Sequence, residues 1–431
     1  MRPIQPIFTA GLVVACALSG TVAQAADEER IELSNFDFTP RDIHLHAGQA
    51  TVLVLSNTAS GGHNFAARSE EIEALRRLPT DLVAELRSAG FFRMGRSRAK
   101  GGPQMTLPQH LEVIEVLAHA DPSVGWCVKI GTDSGLIAEF LPPEASARLL
   151  PHPDSITAGQ FTAAHGKLER VQGGYLMTGR FPFGSGVDHA DAVMSGGAVT
   201  ENGVPVIGPG GIPETRLAFC RRDELVIEDS WHTHGLRGSG SNHYRAEGVF
   251  IPEDQAMRIE EAMFAGRDPL YSSGFNWVTT MAAVPLGTAR RALDEAKALV
   301  MVRKAGIPPR PMAETVQARE TIANAETAWG AAHAFLHRAA NEFWAELEAG
   351  TPAVETKGRL ALANVNCFRM AAEVTRQLFD LIGANVIFEG SVLERLARDA
   401  LTLNQHMIIA QPAVETYGAM MLGKEHPSPL Y

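Results

Sequence analysis

Cysteine is scarce. Cys16, Cys127, Cys220 and Cys367 are the only four in 431 residues, and no two form a CxxC. That spacing excludes a zinc knuckle and a disulfide framework, and leads us to expect reduced, mostly buried thiols. HExxH is also missing, so no metal site is expected. Positive charge is in deficit: 38 Lys and Arg stand against 49 Asp and Glu, a net charge of −11. With no basic stripe, the long-range field repels nucleic acid and anionic lipid, so neither is an expected partner. The nucleotide-binding words are absent too. There is no GxxxxGK[ST], and no GxGxxG set in a βαβ unit. A serine-hydrolase GxSxG is approached only by Gly184-Ser185-Gly186, whose glycines adjoin the serine, and the α/β sheet such an elbow needs is missing. Neither a short-period repeat nor a low-complexity tract is present. What remains is an ordinary globular composition, 45% apolar and 20% charged, in a chain too long for one simple core.

Taken in order, residues 1–26 read as a secretory signal. Arg2 precedes the apolar run Phe8 to Leu18, which is too short to span a bilayer as a helix, and Ala23-Gln24-Ala25 offers a cleavage site. Residues 27–67 read as strands, with Ile31, Leu33, Phe36 and Phe38, then Ile43 and Leu45, then Thr51 to Leu55. They resemble the opening of a cupredoxin, with His63 where the first copper ligand would stand. A working copper site needs a second histidine, a cysteine and usually a methionine on a later loop. No such cluster follows, so a truncated fold without metal is expected. His44 and His46 alternate with Ile43 and Leu45 and read as a solvated strand face. Residues 68–150 turn helical: Thr80 or Asp81 caps a helix carrying Leu82, Val83 and Leu86 and closed by Gly90, and a second begins near Pro108 with Leu111, Ile114, Leu117 and Ala118 inward. Residues 151–262 read as a small β domain, with a hairpin turn at Gly173-Gly174 and another at Glu201-Asn202-Gly203. Residues 263–431 read as a bundle of four long helices over about 277–303, 312–349, 353–382 and 391–419. On the last, Leu393, Leu396, Ala400, Leu403, Met407 and Ala410 recur at steps of three and four, and His406 sits at the edge of that face. Taken alone, His406 reads as a hydrogen-bonded core histidine. The glycine-rich Gly235 to Ser241 can cradle a phosphate or simply turn between strands, and the turn is the plainer reading.

Four stretches carry a more specific resemblance. They are Arg76-Arg77-Leu78-Pro79 through Gly90-Phe91-Phe92-Arg93-Met94; Gly173 through Gly179-Arg180-Phe181-Pro182-Phe183-Gly184-Ser185-Gly186; Asp229-Ser230-Trp231-His232-Thr233-His234-Gly235-Leu236-Arg237-Gly238-Ser239-Gly240-Ser241, ending at Val249-Phe250-Ile251-Pro252; and Leu393 through Arg398-Asp399-Ala400 to His406. In this order, over about residues 70 to 425, they resemble the two-component flavin-dependent monooxygenases of the acyl-CoA dehydrogenase fold, the branch with aromatic hydroxylase oxygenase components and dibenzothiophene monooxygenase. The resemblance implies an α+β architecture of N-terminal helical domain, central β domain and C-terminal four-helix bundle, assembled as a homotetramer. It implies hydroxylation of an aromatic or polycyclic small molecule with O2 and reduced flavin, FMN or FAD, through a C4a-(hydro)peroxyflavin. An NAD(P)H-dependent flavin reductase would be the partner.

By position, Ser185 falls where the family sets a hydroxyl against flavin N5, with Gly186 beside it, and Phe183, two residues earlier on the same strand face, where an aromatic packs on the isoalloxazine. His406 falls near the place of the catalytic glutamate of true acyl-CoA dehydrogenases, and a histidine there matches the monooxygenase branch. An imidazole so placed deprotonates a phenol or stabilises the oxygen adduct. Trp231 lines the pocket or fills the core. Arg303 meets the flavin phosphate across a subunit interface or ends a solvated helix, the latter being the plainer expectation. Two features depart from the family: Phe181 stands where a tryptophan is usual, and the signal-like and cupredoxin-like segments occupy the place of the first family helix. The enzyme region implies a cytoplasmic location, and the leader a periplasmic or secreted one. The alternatives are an FAD-dependent acyl-CoA dehydrogenase, against which His406 argues, and, outside enzymes, a secreted cupredoxin-like or inactive fusion protein.

Overall fold

The computed structural model describes residues 68–424 apart from 209–210, 259, 261–263 and 265, together with the backbone of four strands before residue 68. The chain divides after Arg68 into two units. The first holds β1 (Val13–Val14), β2 (Asp27–Leu33), β3 (Phe38–Thr39) and β4 (Thr51–Asn57) in the order β1-β4-β2-β3, with β2 parallel to β4. The expected cleavage site at Ala23-Gln24-Ala25, as well as His44, His46, His63 and Cys16, lies outside the described residues.

The second unit opens with α1 (Ser69–Leu75) and α2 (Thr80–Ser88), whose N-cap is Pro79 rather than Thr80 or Asp81. Gly90 follows α2 at φ +80°, a left-handed turn that favours glycine. α3 (Leu107–Ala120) starts on a capping box, Thr106 with Gln109, and buries Leu111, Ile114, Leu117 and Ala118. α4 (Pro122–Ala138) is capped by Asp121, whose Oδ1 accepts from Ser123 N and Val124 N. α4 is buried around its whole circumference, Lys129 and Asp133 included. A helix so enclosed shows no one-sided pattern in sequence, which is why residues 121–140 could not be assigned an inward face. α5 (Pro143–Leu149) leads into the β region.

There β5 (Thr157–Gln160), β6 (Gly166–Val171), β7 (Gly174–Gly184), β8 (Ala192–Glu201), β9 (Val204–Pro205), β10 (Thr215–Arg221), β11 (Val226–Ile227), β12 (Asn242–Pro252) and β13 (Ala256–Met257) form one sheet. Its main path is β11-β12-β7-β6-β8-β10-β13, with β5 and β9 also on β8. Gly173, at φ +81°, makes the expected hairpin between β6 and β7. Phe181 is fully buried and stacks on Tyr244, with ring centroids 5.1 Å apart.

The helical region comprises α6 (Asn276–Thr279), α7 (Ala283–Val302), α8 (Val316–Ala349), α9 (Val354–Ile382), α10 (Val392–Leu403) and α11 (Gln411–Met420). Three of the expected long helices are present. The fourth is not continuous. α10 ends at Leu403, a 3-10 turn covers Met407–Ile409, and α11 starts afresh with Pro412 in its first turn. Pro412 has no N–H to give Ile408 and its ring would clash with that carbonyl, so the helix cannot run through. Met407 therefore points to solvent, 61% exposed, and is not on the buried face with Leu403. Free Cys127, Cys220 and Cys367 are all buried.

Candidate active site

α4 carries the side chain at the centre of the site. Trp126 is 6% exposed. Its Nε1–H donates to Ser185 Oγ at 2.9 Å, and its ring meets the His406 ring edge-on, with centroids 5.5 Å apart. Ser185 and His406, 221 residues apart in sequence, are thus both contacts of one indole. Trp126 is not legible from sequence as a site residue, because its helix shows no periodic face.

Ser185 continues into a chain of hydroxyls. Ser185 Oγ and Ser241 Oγ are 2.7 Å apart, as are Ser241 Oγ and Ser239 Oγ, and Ser239 Oγ donates to Leu236 O at 2.7 Å. Each hydroxyl has one proton. A carbonyl only accepts, so Ser239 is committed as donor to it. Ser241 then donates to Ser239, and Ser185 to Ser241, with Trp126 donating to Ser185. The chain has a single direction, and Ser185 is left with acceptor capacity only. Replacing Trp126 by Phe keeps the ring beside His406 but removes one bond. We expect a stability loss of about 0.5–1.5 kcal/mol in a denaturant titration.

Phe183 is not on the face of Ser185. The register between β7 and β12 shifts between Asn242 and Tyr244, a bulge that places Phe183 at φ +61°. The bulge reverses the alternation of faces: Phe183 is 64% exposed whereas Ser185 is 6% exposed. The Phe183 ring stands edge-on to Trp231 at 6.3 Å and to His243 at 5.9 Å. Gly186, at φ +71°, donates its N–H to Ser239 O at 3.0 Å, which ties the serine turn to the hydroxyl chain.

Trp231 is buried, and its Nε1–H donates to Leu236 O at 2.9 Å. The glycine-rich segment is a tight turn, with Leu236 and Gly240 left-handed around a 3-10 turn at Arg237–Ser239. It is clamped onto α10. Leu236 N donates to Asp399 Oδ1 at 2.6 Å, and Arg398 donates to the His234 carbonyl. Burial, reinforced by the charge of Glu73, pushes the Asp399 carboxyl up to about 8. The Arg398-Asp399 pair was visible in sequence, but its function as a loop clamp was not.

His406 is not a helical residue. It caps the turn after α10, and Ile408 N–H donates to its Nδ1 at 3.3 Å. The proton of the neutral ring therefore sits on Nε2. Burial, with a contribution from the Lys129 charge, lowers its pKa to about 4. Lys129, itself fully buried on α4, pairs with Asp133 one turn on. Arg303 sits at the C-terminal end of α7, where Met312 N–H donates to its carbonyl. Among the described residues its side chain makes none of the contacts that join Trp126, Ser185 and His406.

The side-chain set fits a flavin. Ser185 offers an acceptor and His406 an N–H donor, two contacts that the polar edge of a planar heteroaromatic ring requires, and Phe183, on the other side of the bulge, an exposed aromatic ring. Comparison with known proteins agrees. Residues 63–153 match the acyl-CoA dehydrogenase N-terminal domain and residues 279–411 the acyl-CoA dehydrogenase C-terminal domain. The chain is 30% identical over 373 residues to an indole-3-acetate monooxygenase of Pseudomonas putida, covering 85% of this chain and 92% of that one. It is 27% identical to the oxygenase component of a p-hydroxyphenylacetate 3-hydroxylase of Acinetobacter baumannii, over 79% of this chain and 82% of the relative. In fold it superposes with a TM-score of 0.77 on XiaF of a Streptomyces species, solved with FADH2 and glycerol, at 23% identity over 84% of this chain and 94% of XiaF. The chain belongs to the acyl-CoA dehydrogenase-fold family of flavin-dependent monooxygenases, among the oxygenase components that work with reduced flavin and O2.

Proposed function

We propose that this oxygenase component hydroxylates a small aromatic compound of the indole or phenol type, with His406, Ser185 and Trp126 as its working residues. The observation that carries the reading is the joint contact of Ser185 and His406 with Trp126. Reduced flavin, when bound, supplies the electrons that activate O2, and one oxygen atom is passed to the substrate. The protein's own contribution is positional. His406, with Nδ1 engaged by Ile408 N–H, offers Nε2–H as a hydrogen-bond donor. With its pKa held at about 4 it remains neutral at working pH. This favours the role of donor to developing negative charge over that of base. Ser185, turned into an acceptor by the hydroxyl chain, would hold an N–H edge. Reduced flavin presents such an edge, and the oxidised ring has a bare nitrogen there. Phe183 and Trp231 would pack on the ring, with Gly186 allowing close approach.

An acyl-CoA dehydrogenase needs a carboxylate base where His406 stands. Glu415, the next carboxylate after His406 along the chain, lies exposed on α11 beyond Pro412. The partner in this reading is an NAD(P)H-dependent flavin reductase, and a cytoplasmic location follows from that supply. Assembly as a homotetramer would bring Arg303 to a neighbouring subunit's flavin phosphate. The test supplies the full chain with chemically reduced FMN or FAD, labelled O2, and a panel of indoles and phenols. A product heavier by one labelled oxygen, together with tighter binding of reduced than of oxidised flavin, is expected. Equal affinity for both redox states and no labelled product with any aromatic would refute the reading.

A further inference from the structure

Outside this site, one cluster of side chains has the donor set of a metal centre. His333 and His337 lie one helical turn apart on α8, so their rings share a face; the centroids are 4.2 Å apart. Both point Nε2 at the same carboxylate oxygen from the facing helix α3: Glu115 Oε2 is 3.1 Å from His337 and 3.7 Å from His333. The three candidate ligand atoms all lie within 4.8 Å of one another. A tetrahedral ion with bonds of about 2.0–2.1 Å places its ligand atoms about 3.3 Å apart. The observed separations surround that value, so an ion is accommodated by small ring rotations.

Three further features suit a ligand site. Trp329 packs on the His333 ring at 4.9 Å and fixes its orientation. Among the described residues, Glu115 pairs with these two histidines and with no lysine or arginine. The side chains of Glu115 and His337 are 15% and 18% exposed and that of His333 38%, which leaves one side open for a water as fourth ligand. Among the described residues, none of the three shares a hydrogen bond, ion pair or ring contact with Trp126, Ser185 or His406.

We propose that Glu115, His333 and His337 bind one divalent first-row transition cation of zinc type, clamping α3 to α8. Two imidazoles and one carboxylate suit zinc, nickel or copper better than magnesium or calcium, which prefer all-oxygen sites. The clamp joins α3 of the N-terminal helical region to α8 of the C-terminal bundle, so its expected effect is on stability and not on turnover.

The test titrates the full chain, stripped with chelator, with Zn2+ by calorimetry and with Co2+ by visible spectroscopy. Expected are one ion per chain, a rise in melting temperature, and the intense Co2+ bands of a four-coordinate centre. His337→Ala and Glu115→Gln should each weaken Zn2+ binding at least about tenfold, while hydroxylation by the metal-free protein stays at the parental rate. Unchanged Zn2+ affinity in both variants, or a parent that binds Co2+ only weakly and six-coordinate, overturns the proposal and leaves the triad as a packing hydrogen bond. If either variant fails to fold in chelator, the Co2+ spectrum of the parent decides by itself.

Discussion

Replacing His406 by Ala is expected to lower hydroxylation by about 10²–10³-fold, while O2 consumption continues and its electrons appear as hydrogen peroxide. With Nδ1 taken by Ile408 N–H, the ring has one donor for the site, Nε2–H, and alanine removes it. Trp126 and Phe368 keep the neighbouring walls, since each touches the ring from its own helix, so the fold should survive. Product per flavin oxidised, measured beside peroxide, separates loss of oxygen transfer from loss of flavin binding. The pH dependence follows from the same environment. The folded pKa is about 4, below the ordinary 6.5, because burial penalises the imidazolium. His406 thus stays uncharged through the neutral range, and the hydroxylation rate should show no inflection from it between roughly pH 6 and 8. For stability, the unfolded chain takes up the proton first on acidification. The contribution of neutral His406 is complete above about 6.5 and is lost as pH falls toward about 4. An activity profile with a histidine-like limb near neutrality, abolished in His406→Ala, would contradict the donor role.

The elements that could be read from sequence are those with one buried face. α3 shows it at Leu111, Ile114, Leu117 and Ala118, and the β6–β7 hairpin announces itself through Gly173. α4 could not be read this way because it is enclosed by its neighbours, and with it went Trp126, the residue that joins the site. Ser185 and His406 were found only through resemblance. Nothing local marks a serine two residues past a bulge, or a histidine in a turn that the 3.6-residue pattern runs straight through. The two errors share a cause. Period arguments assume unbroken elements, and both Phe183 and His406 sit where an element breaks, at a bulge and ahead of Pro412. Such breaks re-aim side chains, which is why they fall at the site.

The largest effect on the fold is expected from Gly235→Ala. A Cβ at Gly235 would lie 2.2 Å from Arg398 O and 2.6 Å from Thr402 Oγ1. The first of these atoms is helix backbone and cannot yield without moving α10. We expect about 3 kcal/mol of destabilisation, the upper end of overpacking costs, and loss of flavin binding before global unfolding. The reason for that order is the clamp. Leu236 N–H donates to Asp399 Oδ1, while the Leu236 carbonyl accepts from Ser239 Oγ–H and Trp231 Nε1–H. Pushing the loop off α10 therefore removes the terminal acceptor of the hydroxyl chain and frees Ser185 to turn its proton. Asp399→Asn is the control. The amide oxygen still accepts from Leu236 N, and a neutral group suits a position whose carboxyl is pushed up to about 8 by burial. The sign of the pH effect is fixed by that shift. A raised carboxyl pKa makes the folded state hold its proton while the unfolded chain releases it, so the parent loses stability as pH climbs from the ordinary carboxylate range toward about 8. Asp399→Asn should remove that slope and melt at or above the parent at mildly alkaline pH. Asp399→Leu leaves the Leu236 N–H without a partner, at about 1–3 kcal/mol, and should resemble Gly235→Ala. Melting curves across pH, with reduced-flavin affinity measured on the same samples, test both arms. A Gly235→Ala protein that melts with the parent and binds flavin normally would show that α10 does not hold this loop.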